Sequence, residues 1–202
     1  MENVVLVGAG GHCRSVIDAI EAGGIYQIAA VVDKQENIGQ SILNYPIDYC
    51  DDDLSMLAQK YKNFVITVGQ IKSPEARISI FNQIKKMGGR LVTVISPTAY
   101  VSRHAKIGEG TVVLHRAVVN AGAIIGDNCI INTMALLEHD VKIANHCHIS
   151  TAVVLNGGVS VQEASFVGST TVVHQNCVIT ARSVVTAGAV ITKRGIVGPY
   201  DN

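Results

Sequence analysis

The sequence predicts two domains, an α/β Rossmann-like βαβ domain over residues 1–94 and an all-β parallel β-helix over residues 95–202. Two observations carry this prediction. In the first third of the chain, apolar strands alternate with amphipathic helices, which is typical of βαβ units on a parallel sheet. From Ile95 onward, an aliphatic residue recurs at every sixth position, which is the signature of a hexapeptide-repeat solenoid.

The strands of the first domain are predicted from short apolar runs bounded by turn residues. These runs are NVVLV (3–7), AAVVD (29–33), NFVITVG (63–69) and LVTVI (91–95), the last of which is expected to close the domain. Helices are predicted between them, and their positions are 13–22, the stretch after the acids at 51–53, and 73–89. In the last helix, Ser73 is expected as the N-cap, Pro74 at the first helical position and Gly88 at the end.

A glycine-rich turn, GAGGH (8–12), joins the first strand to the first helix. Glycines allow the backbone to approach a phosphate, and the helix N-terminus supplies free N–H groups. Cys13 stands where a dinucleotide fingerprint has its third glycine, so a mononucleotide or nucleotide-sugar is favoured. Asp33 closes the second strand, where such folds contact a ribose. A tight turn without a ligand and a solvated loop acid are the alternatives for these two features.

The six-residue period of the second domain runs from Ile95 to Val197, and all eighteen positions are Ile, Val or Leu. The residue four positions after each is small or short. Three consecutive repeats form one triangular coil, in which the aliphatic side chain fills the interior. Coils stack at the spacing of parallel strands, about 4.8 Å, so residues 95–197 predict a little under six coils.

The phase of this repeat predicts where each side chain points. Three cysteines occupy the inward position and are expected in the core: Cys129, Cys147 and Cys177. His104 and His146 fall at corners and are expected to face water. The crowd of histidines and one cysteine at residues 139–148 is therefore not predicted to be a metal site, and no metal is expected.

Composition excludes several classes of partner. The net charge is zero, with 16 basic and 16 acidic residues and no basic stripe, so neither nucleic acid nor membrane is an expected partner. No apolar run approaches the roughly 20 residues of a membrane helix. The start of the chain is predicted to be a first strand and not a signal peptide. Five cysteines without a CxxC motif indicate a reduced, cytoplasmic protein.

Together, GAGGHCRSVID (8–18), VVDK (31–34), the hexapeptide repeats and LLEHDVKIANHCHIS resemble one family over nearly the whole chain. It is the family of hexapeptide acyltransferases related to bacterial sialic acid O-acetyltransferases and nucleotide-aminosugar N-acetyltransferases. The resemblance implies a homotrimer of left-handed β-helices with active sites between subunits. It also implies acetyl-CoA as cosubstrate in the groove between neighbouring helices, and a nucleotide-linked amino sugar held by the N-terminal domain.

The resemblance also implies roles for individual residues. His139, between Glu138 and Asp140, matches the family's catalytic histidine. His148 matches a histidine that contacts acetyl-CoA, and Gly157 and Gly158 match a stretch that offers backbone N–H groups to the thioester. The residues that match the family's nucleotide-sugar site are Gly8, Gly10, Gly11, His12, Asp33 and Lys34.

Acetyl transfer needs a base, donors for the oxyanion and aligned reactants. His139 is a suitable base near neutral pH, and Asp140 is expected to fix its tautomer. Gly157 follows His139 by three repeats, which make one whole coil, so it is predicted to stack on His139 and leave room for the thioester. Neither Ser nor Cys is expected beside His139, which favours direct attack by the acceptor. His115 precedes His139 by four repeats, which is not a whole number of coils, and is expected on another edge of the β-helix.

Three alternatives remain open at this point. The acceptor group can be a sugar hydroxyl, as in sialic acid O-acetylation, because no residue separates it from an amine. A zinc-binding β-helix with histidines between subunits and a non-catalytic sugar-nucleotide binding module are hypotheses of another class. The chain ends IVGPYDN where the family carries G-x-P-A-[KR], so different contacts to the adenine end of CoA are expected.

Overall fold

The computed structural model describes residues 1–192 and the backbone of a two-residue strand at 196–197. The rest of the C-terminal tail motif lies outside the described residues. The N-terminal domain is built from seven strands and three helices in the order β1 (Glu2–Val7), α1 (Gly11–Gly23), β2 (Tyr26–Asp33), β3 (Ser41–Ile42), β4 (Tyr45–Pro46), β5 (Tyr49–Cys50), α2 (Leu54–Lys60), β6 (Asn63–Ile66), α3 (Glu75–Lys86) and β7 (Arg90–Leu91). Short 3-10 turns occupy Gln35–Asn37 and Asp51–Asp53.

Five of these strands form a parallel sheet in the order β5-β2-β1-β6-β7. The connections from β1 run outward in both directions, so the strand order reverses between β1 and β6, where open α/β sheets bind ligands. Helix α1 lies on one face of the sheet, between it and the β-helix, while α2 and α3 cover the other face. The predicted Rossmann-like βαβ arrangement is confirmed.

Local departures from the prediction occur at element ends. Helix α3 begins at Glu75 with Pro74 as its cap, one residue later than predicted, and the Glu75 N–H donates to Ser73 Oγ at 3.3 Å. LVTVI (91–95) is divided, because β7 ends at Leu91 and the next strand pairs with the β-helix. The antiparallel β3–β4 hairpin and β5 were not predicted, since two-residue strands show no alternation.

The second domain is a stack of two-residue strands that recur every six residues. They are β8 (Val94–Ile95), β9 (Tyr100–Val101), β10 (Lys106–Ile107), β11 (Val112–Val113), β12 (Val118–Val119), β13 (Ile124–Ile125), β14 (Ile130–Ile131), β15 (Leu136–Leu137), β16 (Lys142–Ile143), β17 (His148–Ile149), β18 (Val154–Leu155), β19 (Ser160–Val161), β20 (Phe166–Val167), β21 (Val172–Val173), β22 (Val178–Ile179), β23 (Val184–Val185), β24 (Val190–Ile191) and β25 (Ile196–Val197).

Each strand pairs in parallel with the strand three repeats away, which confirms the triangular coil. Three six-stranded sheets result. Sheet I contains β8, β11, β14, β17, β20 and β23; sheet II contains β9, β12, β15, β18, β21 and β24; and sheet III contains β10, β13, β16, β19, β22 and β25. Corner A joins sheet I to sheet II, corner B joins sheet II to sheet III, and corner C joins sheet III to sheet I. In the third coil these corners are residues 132–135, 138–141 and 144–147.

The interior of the β-helix is filled as the period predicts. The predicted inward cysteines, Cys129, Cys147 and Cys177, are fully buried in the same cluster as the aliphatic residues. Burial is incomplete in the end coils, which have a neighbour on one side only: Ile95 is 41% exposed, and Val101, Ile107 and Ile191 are partly buried.

The N-terminal domain covers sheet I and corner C, and this changes the environment of one predicted surface residue. His146 was expected to face water but is buried, with 8% of its surface exposed. Its ring meets Phe81 of α3 edge-on at 5.3 Å between centroids, and its Nδ1 lies 2.9 Å from Asn128 Nδ2. The prediction was wrong because the hexapeptide period gives a side chain's direction but not what the other domain places over it. His104, at corner B, is exposed as predicted.

Candidate functional site

His139 and Asp140 lie at corner B, directly after β15. His139 Nδ1 is 2.9 Å from Asp140 Oδ2, and the two side chains are 68% and 69% exposed. Asp140 has a φ of +61°, a left-handed conformation that aspartate adopts more readily than most residues. The carboxylate accepts a hydrogen bond from Nδ1–H, so the lone pair of the neutral imidazole is on Nε2.

Gly157 stacks on His139 one coil later, as the period predicted. A Cβ atom at Gly157 would lie 2.5 Å from His139 Nε2 and 2.6 Å from Cε1, so any side chain there would meet the imidazole. The N–H of Gly158 donates to the backbone carbonyl of His139 at 3.0 Å, which fixes the register of the two coils. The open space beside Nε2 therefore exists because residue 157 is glycine.

Within residues 1–192, the hydrogen bonds of the His139 ring involve Asp140 and no Ser or Cys side chain. The adjacent acid, Glu138, is used differently, because its Oε2 accepts a hydrogen bond from Asn120 Nδ2 at 3.0 Å. The corner thus presents one imidazole with a free Nε2 to solvent, oriented by one carboxylate. This arrangement suits a general base acting on an approaching nucleophile.

A second histidine site lies at corner A, in a cavity of about 660 Å³ between the two domains. The cavity, called the interdomain pocket below, is bounded by the N-terminus of α1, the β6–α3 loop and the β-helix. Its lining includes Gly11, His12, Ser15, Gln70, Asn132 and His148. Asp18 and His115 close the pocket at one end. Asp18 follows the lining residue Ser15 by one helical turn, and His115 lies one coil before Thr133, which also lines the pocket.

His148 is held on both ring nitrogens. Its Nδ1 donates to the carbonyl of Gln70 at 2.5 Å, and its Nε2 lies 3.1 Å from Asn132 Nδ2. Phe166 meets the ring edge-on at 5.1 Å. Burial lowers the pKa of His148 to about 4, although the hydrogen bond to Gln70 opposes this. His148 is therefore neutral near pH 7.

His12 lies close to His148, with 6.5 Å between the ring centroids. Burial, together with the charge of Arg77, lowers the pKa of His12 to about 3. Its Nε2 is buried and has no hydrogen-bond partner among the described residues. A buried polar atom without a partner is costly, and this one borders a cavity that a polar ligand can enter.

His115 and Asp18 tie α1 to the β-helix at the end of this pocket. His115 Nε2 lies 2.8 Å from Asp18 Oδ2, away from the ideal hydrogen-bond direction, and its Nδ1 is 2.8 Å from Ser96 Oγ. His115 is at corner A and His139 is at corner B, so the prediction that they occupy different edges is confirmed.

A smaller cavity of about 350 Å³, the nucleotide pocket, lies at the carboxyl ends of β1, β2 and β6. Gly8, Gly10, Asp33 and Lys34 line it, and so does Gly69, which also lines the interdomain pocket. Gly8 has a φ of +107°, and a Cβ there would lie 2.5 Å from Val68, so only glycine fits. The Asp33 carboxylate accepts a hydrogen bond from Asn37 Nδ2 at 2.9 Å.

The structure therefore brings the predicted site residues into three groups. Gly8, Gly10, Asp33 and Lys34 line the nucleotide pocket, and Gly11, His12 and His148 line the adjoining interdomain pocket. His139, Asp140, Gly157 and Gly158 form the third group at corner B. Within one chain, His148 lies with His12 and not with His139, because His148 points outward from sheet I under the N-terminal domain, whereas His139 is at corner B, at the far edge of sheet II.

Arg77, Gln70 and Asn132 were not predicted from the sequence. Gln70 and Asn132 line the interdomain pocket, and Arg77 lies behind its lining. For Arg77 a signal existed, because it precedes Phe81 by four residues and Ile84 by seven. It therefore stands on the buried stripe of α3, where a charged residue is anomalous. Gln70 and Asn132 carry no comparable signal, since polar residues in loops and at corners are ordinary.

Two negative findings concern the described part of the chain. Among residues 1–192, no three His, Cys, Asp or Glu side chains are grouped so that they could hold a metal ion. None of the helices found there has the length and apolar character needed to span a bilayer.

Comparisons with known proteins agree with this architecture. The family model of the PglD N-terminal domain matches residues 3–84, and the model of the bacterial transferase hexapeptide, six repeats, matches residues 104–139. A curated relative, UDP-N-acetylbacillosamine N-acetyltransferase of Bacillus subtilis (strain 168), is 35% identical over 117 residues. That match spans 56% of this chain and 52% of the relative, so about half of the relative's length is covered.

Two solved structures are similar along nearly the whole chain. A histidine-to-asparagine mutant of perosamine N-acetyltransferase from Caulobacter crescentus, in complex with CoA and GDP-perosamine, is 32% identical, with a TM-score of 0.90. The alignment covers 97% of this chain and 91% of that one. The acetyltransferase domain of PglB from Neisseria gonorrhoeae FA1090 is 28% identical, with a TM-score of 0.88 and coverage of 98% and 97%. The same domain has also been solved with acetyl coenzyme A.

Proposed function

Because the chain belongs to the family of hexapeptide-repeat nucleotide-aminosugar N-acetyltransferases, with a left-handed parallel β-helix, we propose that it acetylates the amino group of a nucleotide-linked amino sugar with acetyl-CoA. The observation that carries this proposal is the corner B constellation. His139 is oriented by Asp140, and glycine at position 157 leaves its Nε2 open to a substrate. The relatives solved with CoA, acetyl-CoA and GDP-perosamine support the choice of substrates.

The chemistry follows from these atoms. The neutral amine of the sugar attacks the thioester carbonyl carbon, and a carbon–nitrogen bond forms. His139 Nε2 accepts the proton that the amine loses, while Asp140 stabilises the resulting imidazolium. The backbone N–H of Gly157 supplies a donor near the developing oxyanion, while the N–H of Gly158 holds the carbonyl of His139 and so fixes the position of this glycine pair. The carbon–sulfur bond then breaks, and CoA leaves with a proton on its sulfur.

The two pockets of the N-terminal domain suit the two parts of the acceptor. The nucleotide occupies the pocket of Asp33 and Lys34. Its diphosphate lies over Gly10 and Gly11, where the uncapped first turn of α1 presents free N–H groups. The amino sugar then extends past Gly69 into the interdomain pocket, where the unpartnered His12 Nε2 is available to a sugar hydroxyl.

A homotrimer is supported by one exposed face of the β-helix. The outward residues of sheet II are all apolar, and none is covered by the N-terminal domain. They are Tyr100, Val118, Leu136, Val154, Val172 and Val190, of which the two at the ends are 59% and 62% exposed. The matching positions of sheet III include Lys106, Lys142 and Ser160. A continuous apolar stripe of this kind marks an interface, and a second copy of the chain is the partner we propose.

This packing completes the active site. Sheet II lies between corner A and corner B, so a three-fold ring with sheet II facing the axis places corner A of one copy against corner B of the next. His139 of one copy then faces the interdomain pocket of its neighbour. Acetyl-CoA fits the groove between them, with Gly157 and Gly158 on one wall and His148 of the neighbouring copy on the other. Cys13, Cys50, Cys129 and Cys147 form no disulfide bond, which supports a cytoplasmic location.

A substrate screen tests the proposal. The purified protein is incubated with acetyl-CoA and UDP-, GDP- or dTDP-linked 4-amino sugars, and CoA release is followed with a thiol reagent. Release with at least one amine, with the acetyl group placed on nitrogen by fragmentation mass spectrometry, is expected. The matched control is His139→Asn against His104→Asn, both at exposed corner B positions, and only the first is expected to be inactive. No release with any amine, or acetyl on a hydroxyl, would contradict the proposal.

A further inference from the structure

Arg77 is a fully buried cation whose hydrogen bonds all go to neutral acceptors. Its Nη1 donates to the carbonyls of Ile66 at 3.0 Å and Val68 at 2.6 Å, and its Nη2 donates to Asn128 Oδ1 at 2.7 Å. No carboxylate pairs with it among the described residues, and its Nε has no partner there. Burial lowers the pKa of Arg77 to about 10, so it remains charged near pH 7.

A side chain that only holds the two domains together does not need to carry this charge. Burying an ion without a counter-ion is expensive, and an apolar or neutral side chain usually joins two packed surfaces at lower cost. The other ion pairs that link the domains, Lys85–Glu109 and Arg182–Glu75, are exposed and carry their own counter-charges. Arg77 therefore holds a positive charge at a place where packing alone does not explain it.

Arg77 contacts the backbone at Val68. The backbone of Val68 and Gly69 separates the nucleotide pocket from the interdomain pocket and is called the ridge below. Val68, whose carbonyl accepts from Nη1, lines the nucleotide pocket, and the following Gly69 lines both. The charge of Arg77 reaches His12 and His148, the two histidines of the interdomain pocket, and lowers the pKa of each. The far side of the nucleotide pocket carries three acids, Asp33, Glu36 and Asp51, and one exposed cation, Lys34. Arg77 is thus the buried positive charge beside the ridge.

We propose that Arg77 is a specificity-determining residue, whose uncompensated charge makes the ridge select the diphosphate of the ligand over an uncharged group. This rests on the proposed function, in which the diphosphate lies between the two pockets. Arg77 acts through space, since its donors face Ile66, Val68 and Asn128, and the backbone of the β6–α3 loop lies between it and the ligand. In a water-poor site such a charge acts over several ångströms with little screening.

Asn128→Asp is the sharpest test, because it places a carboxylate oxygen where Oδ1 now accepts from Arg77 and so supplies the missing counter-charge in nearly the same shape. The second carboxylate oxygen replaces Nδ2, which now donates to the carbonyl of Arg77 and lies 2.9 Å from His146 Nδ1, so a variant that loses these contacts without adding charge is needed beside it. Residue 128 has a φ of +53°, which Asp tolerates. Affinities are measured by calorimetry for GDP against guanosine and for UDP against uridine. In wild-type protein the diphosphate binds more tightly, and in Asn128→Asp this preference falls on the order of tenfold. If Arg77 has only a structural role, the preference for the diphosphate over the nucleoside is expected to stay unchanged, because the new ion pair would only strengthen the contact between the domains.

Two further variants separate charge from shape. Asn128→Gly loses the same hydrogen bond without adding charge, and Arg77→Lys keeps the charge with a different shape. Both are expected to retain the wild-type preference within about threefold. Loss of preference in Asn128→Gly or Arg77→Lys to the level of Asn128→Asp would overturn the proposal, because geometry would then explain the effect.

A ligand-free measurement distinguishes this inference from the proposed function. In Asn128→Asp, NMR titration is expected to show higher pKa values for His12 and His148 than in the wild-type protein. Unchanged His12 and His148 pKa values would overturn the role of Arg77 even if the acetyltransferase activity is found. If the wild type binds neither GDP nor UDP, dTDP is measured against thymidine in the same way, and an absence of binding to all three would remove the proposed function and the ligand assignment together, whatever the titration shows.

Discussion

The two histidine sites of this molecule differ in almost every physical property. The corner B site is an exposed pair, with His139 68% open to solvent and oriented by Asp140 alone. The corner A site holds His12 and His148 buried between domains, with pKa values lowered to about 3 and about 4. The lowered pKa values keep the buried pair neutral near pH 7. On the proposed function, the chemistry takes place at corner B and ligand recognition in the interdomain pocket, at different positions on one chain.

The largest expected effect is a loss of folding stability at acid pH, and it arises from the buried pair, His12 and His148. Both folded pKa values lie below the unfolded value of about 6.5. The unfolded chain therefore binds more protons as pH falls, and stability is lost from about pH 6.5 down to about pH 3–4. Between pH 7 and pH 5 we expect a loss of about 4 kcal/mol, at roughly 1.4 kcal/mol per pKa unit for each histidine.

Urea unfolding at fixed protein concentration measures this loss. His148→Gln is expected to flatten the pH dependence relative to wild type, whereas the exposed His139→Gln leaves it unchanged. A wild-type curve that is equally stable at both pH values would show that the two sites do not differ in the way described.

Gly157→Ala tests the exposed site next. The new Cβ would lie 2.5 Å from His139 Nε2, so the imidazole must turn away from Asp140 and the substrate loses its approach. We expect kcat to fall on the order of a hundredfold, because misplacement of a catalytic group by about 1 Å is that costly. Thermal stability should stay close to wild type, since the site is at the surface. Gly23→Ala, where a Cβ meets nothing within 4 Å, is the control. Full activity in Gly157→Ala would show that the open space is not used.

Asp140→Asn is expected to have a smaller effect on the same site. The amide keeps the shape but not the charge that stabilises the imidazolium, and exposed ion pairs contribute modestly. We expect kcat to fall about tenfold with unchanged KM values. Steady-state kinetics across pH 6 to 9 decide this, and an unchanged kcat would remove Asp140 from the mechanism.

Asp18→Asn is expected to have the smallest effect, and it tests the interdomain pocket. Asp18 holds α1 to His115 at the end of the interdomain pocket, so its loss should shift the helix that carries Gly11 and His12. A rise of about threefold in KM for the nucleotide-sugar is expected, without change in kcat or in KM for acetyl-CoA. Glu21→Gln, which removes the charge of the carboxylate that accepts from Tyr45 at the other end of α1, is the control. A fall in kcat alone would place Asp18 in the chemistry instead.

The two histidine sites also differ in how far the sequence predicts them. The corner B constellation could be predicted, because His139, Asp140 and Gly157 depend only on the hexapeptide period and on three repeats making one coil. The corner A site could not be predicted in full, because it arises where α1 and the β6–α3 loop cover sheet I. The period gave His146 a direction toward water, but Phe81 covers it. It likewise gave no sign that His148 meets Gln70, a residue 78 positions earlier.

The central claim is that one active site uses corner B of one copy and corner A of the next, and subunit mixing tests it most directly. His139→Asn lacks the base, and Ser15→Trp fills the interdomain pocket; each is inactive alone. If the chains are unfolded, mixed in equal amounts and reassembled, about one interface in four combines an intact pocket with an intact base. A shared site predicts recovery of about a quarter of wild-type activity. No recovery, in assemblies that native mass spectrometry shows to contain both chains, would contradict it.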